Sequence, residues 1–78
     1  MTTHIRVYLF KETFEFFSKN EKIISNIASD HRVNINKITK NLNSYYVIDG
    51  KLESVHKARI IIQDIEKEFY KELNHKNS

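Results

Sequence analysis

The sequence predicts an α+β domain in the order strand, helix, helix, strand, strand, helix, with a three-stranded sheet covered by helices on one face. Three observations carry this. Val33-Asn34-Ile35-Asn36-Lys37-Ile38 alternates apolar and polar residues, the period of a strand with one buried face. Val55, Ala58, Ile62, Ile65 and Phe69 recur three and four residues apart, the apolar stripe of one long helix. Phe10, Phe14 and Phe17 repeat helical spacing near the N-terminus.

The elements follow in order. His4–Phe10 alternates and then turns apolar, which reads as a strand. Lys11–Phe17 is a short helix, and Ser18–Glu21 a polar break in which Ser18 or Asn20 caps the next helix. Glu21 brings negative charge to that helix's first turn. Ile23, Ile24, Ile27 and Ala28 form the buried face of the second helix, which Asp30-His31-Arg32 ends. After the Val33–Ile38 strand comes a polar connector, Thr39–Ser44, with Lys40, Asn41 and Asn43. Tyr45–Ile48 is the third strand, closed by Asp49-Gly50, where glycine makes a left-handed backbone angle cheap. Leu52 and Leu73 extend the stripe of the last helix, and Glu53 with Lys57 can pair on its exposed face. One domain is expected over residues 1–74, with a polar, frayed tail at 75–78.

Composition narrows the function. A chain of 78 residues holds one small core. Without cysteine there is no disulfide framework, thiolate metal site or thiol nucleophile, which fits an intracellular protein, cytoplasmic or nuclear. No signal peptide or membrane-length apolar run is present. The net charge of +3 suits an anionic partner. His4, His31, His56 and His75 lack acidic partners at ligand spacing, so no metal or cofactor is implied. Asp49 and Glu53 read as turn and helix-start residues, and no nucleophile or phosphate-binding glycine loop is visible, so no enzyme is expected.

The ordered spacings resemble a type I (eukaryotic) KH domain across roughly residues 5–70. Phe16-Phe17 stands before the position of the family's Gly-x-x-Gly loop, which is here Ser18-Lys19-Asn20-Glu21. Ile24 and Ile27 follow on the second helix, Val33 and Ile35 open the second strand, and Gly50 leads to Val55, Ala58 and Ile62. The resemblance implies a βααββα fold with an antiparallel sheet, and a groove that clamps about four single-stranded nucleotides. The contacts it implies are Ser18, Lys19, Asn20 and Lys22 at the loop, Arg32, Lys37 and Lys40 for phosphates, and Ile24, Val33 and Ile35 as the apolar floor.

Two functions remain open at this point. The first is weak, low-selectivity binding of single-stranded RNA, or of single-stranded DNA by the same contacts. The second is a degenerate KH domain acting as a protein-interaction or dimerisation module. Glu21 favours the second, because a carboxylate stands where phosphates belong. So do Phe14, bulky where the family has a small residue, and the Ile60-Ile61-Ile62 run on the long C-terminal helix, of which one side chain is left for solvent or a partner. Of Tyr45 and Tyr46, on opposite faces of a strand, one is core and the other covers the sheet or stacks a base.

Overall fold

The structure, a computed structural model, describes residues 2–40 and 43–76, with side chains to Glu72. Its elements are β1 (Thr2–Tyr8), α1 (Lys11–Lys19), α2 (Glu21–His31), β2 (Asn34–Lys40), β3 (Asn43–Lys51) and α3 (Leu52–Lys76). The order βααββα and the α+β class agree with the sequence. The sheet is antiparallel with β3 in the centre, in the order β1-β3-β2. Asn41, the Leu73 side chain and residues 77–78 lie outside the described residues. Among the described residues, no helix is long and apolar enough to cross a membrane.

Register fixes the two faces of the sheet. Ile48 pairs with Ile5 on one side and Ile35 on the other, and Tyr46 pairs with Val7 and Lys37. Paired residues in a ladder point the same way and neighbours alternate, so these rows face the helices. Ile48, Phe17, Ala58 and Ile62 are fully buried, with Val7, Phe14, Ile24, Ile27, Val33, Tyr46 and Val55 around them in one cluster. Tyr46 is thus the core tyrosine. Tyr45 lies on the opposite face, where it packs on Tyr8 with ring centroids 5.1 Å apart.

Several local expectations are corrected. β1 ends at Tyr8, because Phe10 already accepts the first α1 hydrogen bond, from the Phe14 amide. Ser18 and Lys19 belong to α1 and Glu21 to α2, so Asn20 alone separates the helices. Neither Ser18 nor Asn20 caps α2 with its side chain; the Asn20 amide instead donates to the Phe16 carbonyl at 2.9 Å, closing α1. Alternation on β2 breaks at Lys37, so Ile38 pairs with Tyr45 on the open face. Leu52 is exposed, because the stripe that meets the sheet starts only at Val55. Of the isoleucine run, Ile62 is buried, Ile61 packs against the core and Ile60 is exposed. Glu53 and Lys57 form no ion pair; the pair within 4.0 Å among the described residues is Lys37–Glu21.

The α1 N-terminus is tied to the far half of α3. The Phe10 amide donates to a Glu66 carboxylate oxygen at 3.0 Å, satisfying a helix-start donor that no cap residue serves. The Tyr70 hydroxyl donates to Glu12 at 2.8 Å, and Phe10 and Phe69 flank its ring. Phe69 continues the packing onto Phe16, with centroids 5.2 Å apart.

Gly50 does not close β3, which runs to Lys51 and passes directly into α3. Its φ is +158°, and a Cβ there would meet Val33 Cγ1 at 2.9 Å. Glycine is needed both for that angle and for the close approach.

Two outcomes follow. Gly50→Ala is expected to lower stability by about 1–3 kcal/mol in urea unfolding. An unchanged midpoint would mean that Val33 moves aside freely. The second concerns pH. Burial, then the bond to Glu12, push the Tyr70 phenol from 10.0 up to about 12. Its proton is held more tightly in the folded chain, so this stability is complete below pH 10.0 and is lost as pH rises toward about 12. Tyr70→Phe should flatten that part of the alkaline decline. An identical decline in the variant would assign it elsewhere.

Candidate nucleic-acid interface

The α2 helix and β2 diverge from a tight corner. Arg32 takes the left-handed conformation (φ 53°, ψ 46°) as the α2 C-cap, and the Val33 amide reaches back to the Ala28 carbonyl at 3.0 Å. Between helix and strand opens a groove of about 370 Å³. Ile24, Ala28, Val33 and Ile35 form its apolar floor, with Ser25, Asn34, Asn36 and Tyr46 around it and Glu21 and Lys37 at its mouth.

The mouth is where charge concentrates. Lys37 points toward the helices from β2, and its Nζ lies 3.9 Å from Glu21 Oε1. It also donates to Ser18 Oγ at 3.5 Å and lies 6.0 Å from the Phe14 ring centroid. Glu21 sits in the first turn of α2, where unpaired backbone amides and the helix dipole favour an anion. The carboxylate therefore occupies the position a phosphate would seek. Burial first, then the Glu21 charge, push the Tyr46 phenol above its ordinary value. Phe14 packs on Tyr46 with centroids 5.2 Å apart, next to the groove but outside its lining.

The expected contacts separate into three groups. Ile24, Val33, Ile35 and Lys37 line the groove, and Ser18 touches it through Lys37. Lys19, Asn20 and Lys22 are exposed at the junction of α1 and α2, beside the mouth but not in the lining. Arg32 and Lys40 stand elsewhere. Arg32 is at the opposite end of α2 from Lys22, about 15 Å away along the axis at the rise of a helix. Lys40 ends β2 beside Asn43, on the face away from the helices. The five cations do not share one rim. Ser25, Ala28, Asn34, Asn36 and Tyr46 also line the groove and are not among the contacts the resemblance implies. For Tyr46 the signal was available, since it shares strand parity with Ile48.

A helix pair, a minimal junction, an edge strand and a groove between them are the arrangement of the type I KH fold. No protein-family model matches the sequence, and no curated protein matches it. Two solved structures do. The first KH type I domain of human Vigilin superposes with a TM-score of 0.77 at 22% identity, covering 91% of this chain and 78% of that one. The N-terminal KH domain of human BICC1 superposes with a TM-score of 0.72 at 16% identity, covering 85% of this chain and 97% of that one. The chain is a type I KH-like domain in its fold.

The ion pair at the mouth is largely exposed, with 79% of the Glu21 side chain and 40% of that of Lys37 accessible. Such pairs contribute little to stability. A double-mutant cycle over Glu21→Gln and Lys37→Met is expected to give a coupling below about 1 kcal/mol in urea unfolding. A larger coupling would make the pair a structural clasp.

Proposed function

We propose that this protein binds single-stranded RNA in the groove between α2 and β2, weakly and with little base selectivity. The groove itself is the observation that carries the reading. An apolar floor for bases, the free edge of β2 at Asn34 and Asn36, and one cation at the mouth share a single concavity on a KH-like fold. Bases lie on the apolar floor, and main-chain groups on the free edge of β2 meet base edges as donors and acceptors. Lys37 neutralises a phosphate once that phosphate has taken it from Glu21, and Lys19 and Lys22 lend charge from the rim. Few polar groups line the floor, so selectivity is low, and single-stranded DNA fits the same contacts.

A second reading has its own support. With Glu21 at the mouth and the bulky Phe14 packed behind Tyr46, the site suits a domain that has given up nucleic acid for a protein partner or a second copy. Phe10, 63% exposed, and Ile60, 47% exposed, offer apolar surface for that role.

Titration with short single-stranded RNA at two salt concentrations, followed by amide chemical shifts, separates the readings. RNA binding predicts shifts over residues 18–25 and 33–38. It also predicts affinity falling with salt at a slope of about 0.7 per phosphate neutralised. Glu21→Gln should tighten binding several-fold, because a like charge near a phosphate costs about 1 kcal/mol or more at a surface. Absence of shifts, together with a doubled mass in light scattering, would overturn RNA binding in favour of self-association.

A further inference from the structure

We propose that a second nucleotide site lies behind the groove, in a hollow where one further base of the same strand stacks on Tyr8. The proposal rests on the RNA reading above and extends it to a part of the molecule that the groove does not use.

The hollow has a volume of about 490 Å³ and opens where β1 leaves the sheet for α1. That volume lies within the usual range for small-ligand sites. Tyr8, Lys11, Phe14, Glu15, Asn43 and Ser44 line it. Phe14 links it to the groove. Phe14 forms part of its wall, and the same ring lies 5.2 Å from that of Tyr46 and 6.0 Å from Lys37 Nζ, both groove residues. A strand that leaves the groove past Lys37 passes the Phe14 ring and reaches Tyr8 by rounding the end of the sheet, because Tyr8 packs on Tyr45 on the face away from the helices.

The hollow has the chemistry of a base site. Tyr8 is 61% exposed although it sits within a paired strand. Its ring is propped by Tyr45, whose own ring lies beneath the Arg6 guanidinium, 5.3 Å from the centroid. The Arg6 guanidinium is charged at any physiological pH, so a cation stands beside the rings. An anchored, open aromatic ring backed by a cation is a stacking platform for any base. Lys11 supplies a phosphate contact. Asn43 and Ser44 offer donors and acceptors to the base edge, and Glu15 accepts from an exocyclic amino group. Glu15 makes adenine or cytosine the better occupant and uracil the poorer one.

The test compares oligoadenylates of about four nucleotides, enough to fill a KH groove, and about twice that length, by fluorescence anisotropy on the full chain. The longer strand should bind about tenfold more tightly, the gain expected of one stacked base. Tyr8→Thr keeps a strand-favouring residue and should cut the gain to the few-fold that extra binding registers supply. It should leave the short strand's affinity unchanged. Lys11→Gln, an exposed change outside the sheet, should also reduce the gain and guards against misfolding of the first variant. A gain that both variants retain, or no gain with length, overturns this site and leaves the groove reading standing. Failure of both strands to bind overturns the groove reading and this site with it.

Discussion

The approach of β3 to Val33, made possible because Gly50 has no side chain, is the constraint on which the rest of the molecule depends. The Val33 Cγ1 atom occupies space that a Cβ at residue 50 would need. Val33 also stands at the corner where α2 turns into β2, so its depth sets how closely the helix layer lies on the sheet. That depth lets one side chain be buried in the core while lining the groove. β3 continues without a loop into α3, so the same approach sets the height at which Val55, Ala58 and Ile62 meet the sheet. In a chain with one glycine, that residue sits at the tightest point of the packing.

Much of this was legible in the sequence because each element carries its own period. The stripe Val55, Ala58 and Ile62 is buried as its spacing required, and two of three consecutive isoleucines turn inward as helical geometry demands. Composition misled where polarity has two causes. Ser18 and Lys19 are polar because they end a helix, and polarity alone cannot separate a helix end from a loop. Ile38 misled by parity, since a single step along a strand exchanges the faces. Leu52 is apolar at the first turn of α3, before that helix reaches the sheet.

The site was less legible because a groove is made by register. Lys37 enters it through its pairing with Tyr46, and Lys40 leaves it through its pairing with Asn43. Both lysines look equivalent in the chain, yet they project from opposite faces of β2. Asn34 and Asn36 look like strand filler, and they join the groove because they lie on the free edge of β2. The Glu21 carboxylate then gives the mouth a charge of its own. Any anion arriving there meets a like charge covalently held at the helix start.

The junction between α1 and α2 has a kinetic consequence. Asn20 is its only non-helical residue, and its side chain is already engaged with the Phe16 carbonyl. A junction of two helix ends and one residue leaves few backbone angles free to rearrange. Little conformational entropy is left for a ligand to remove there. If RNA is the ligand, a junction of this kind predicts capture at a rate set by diffusional encounter.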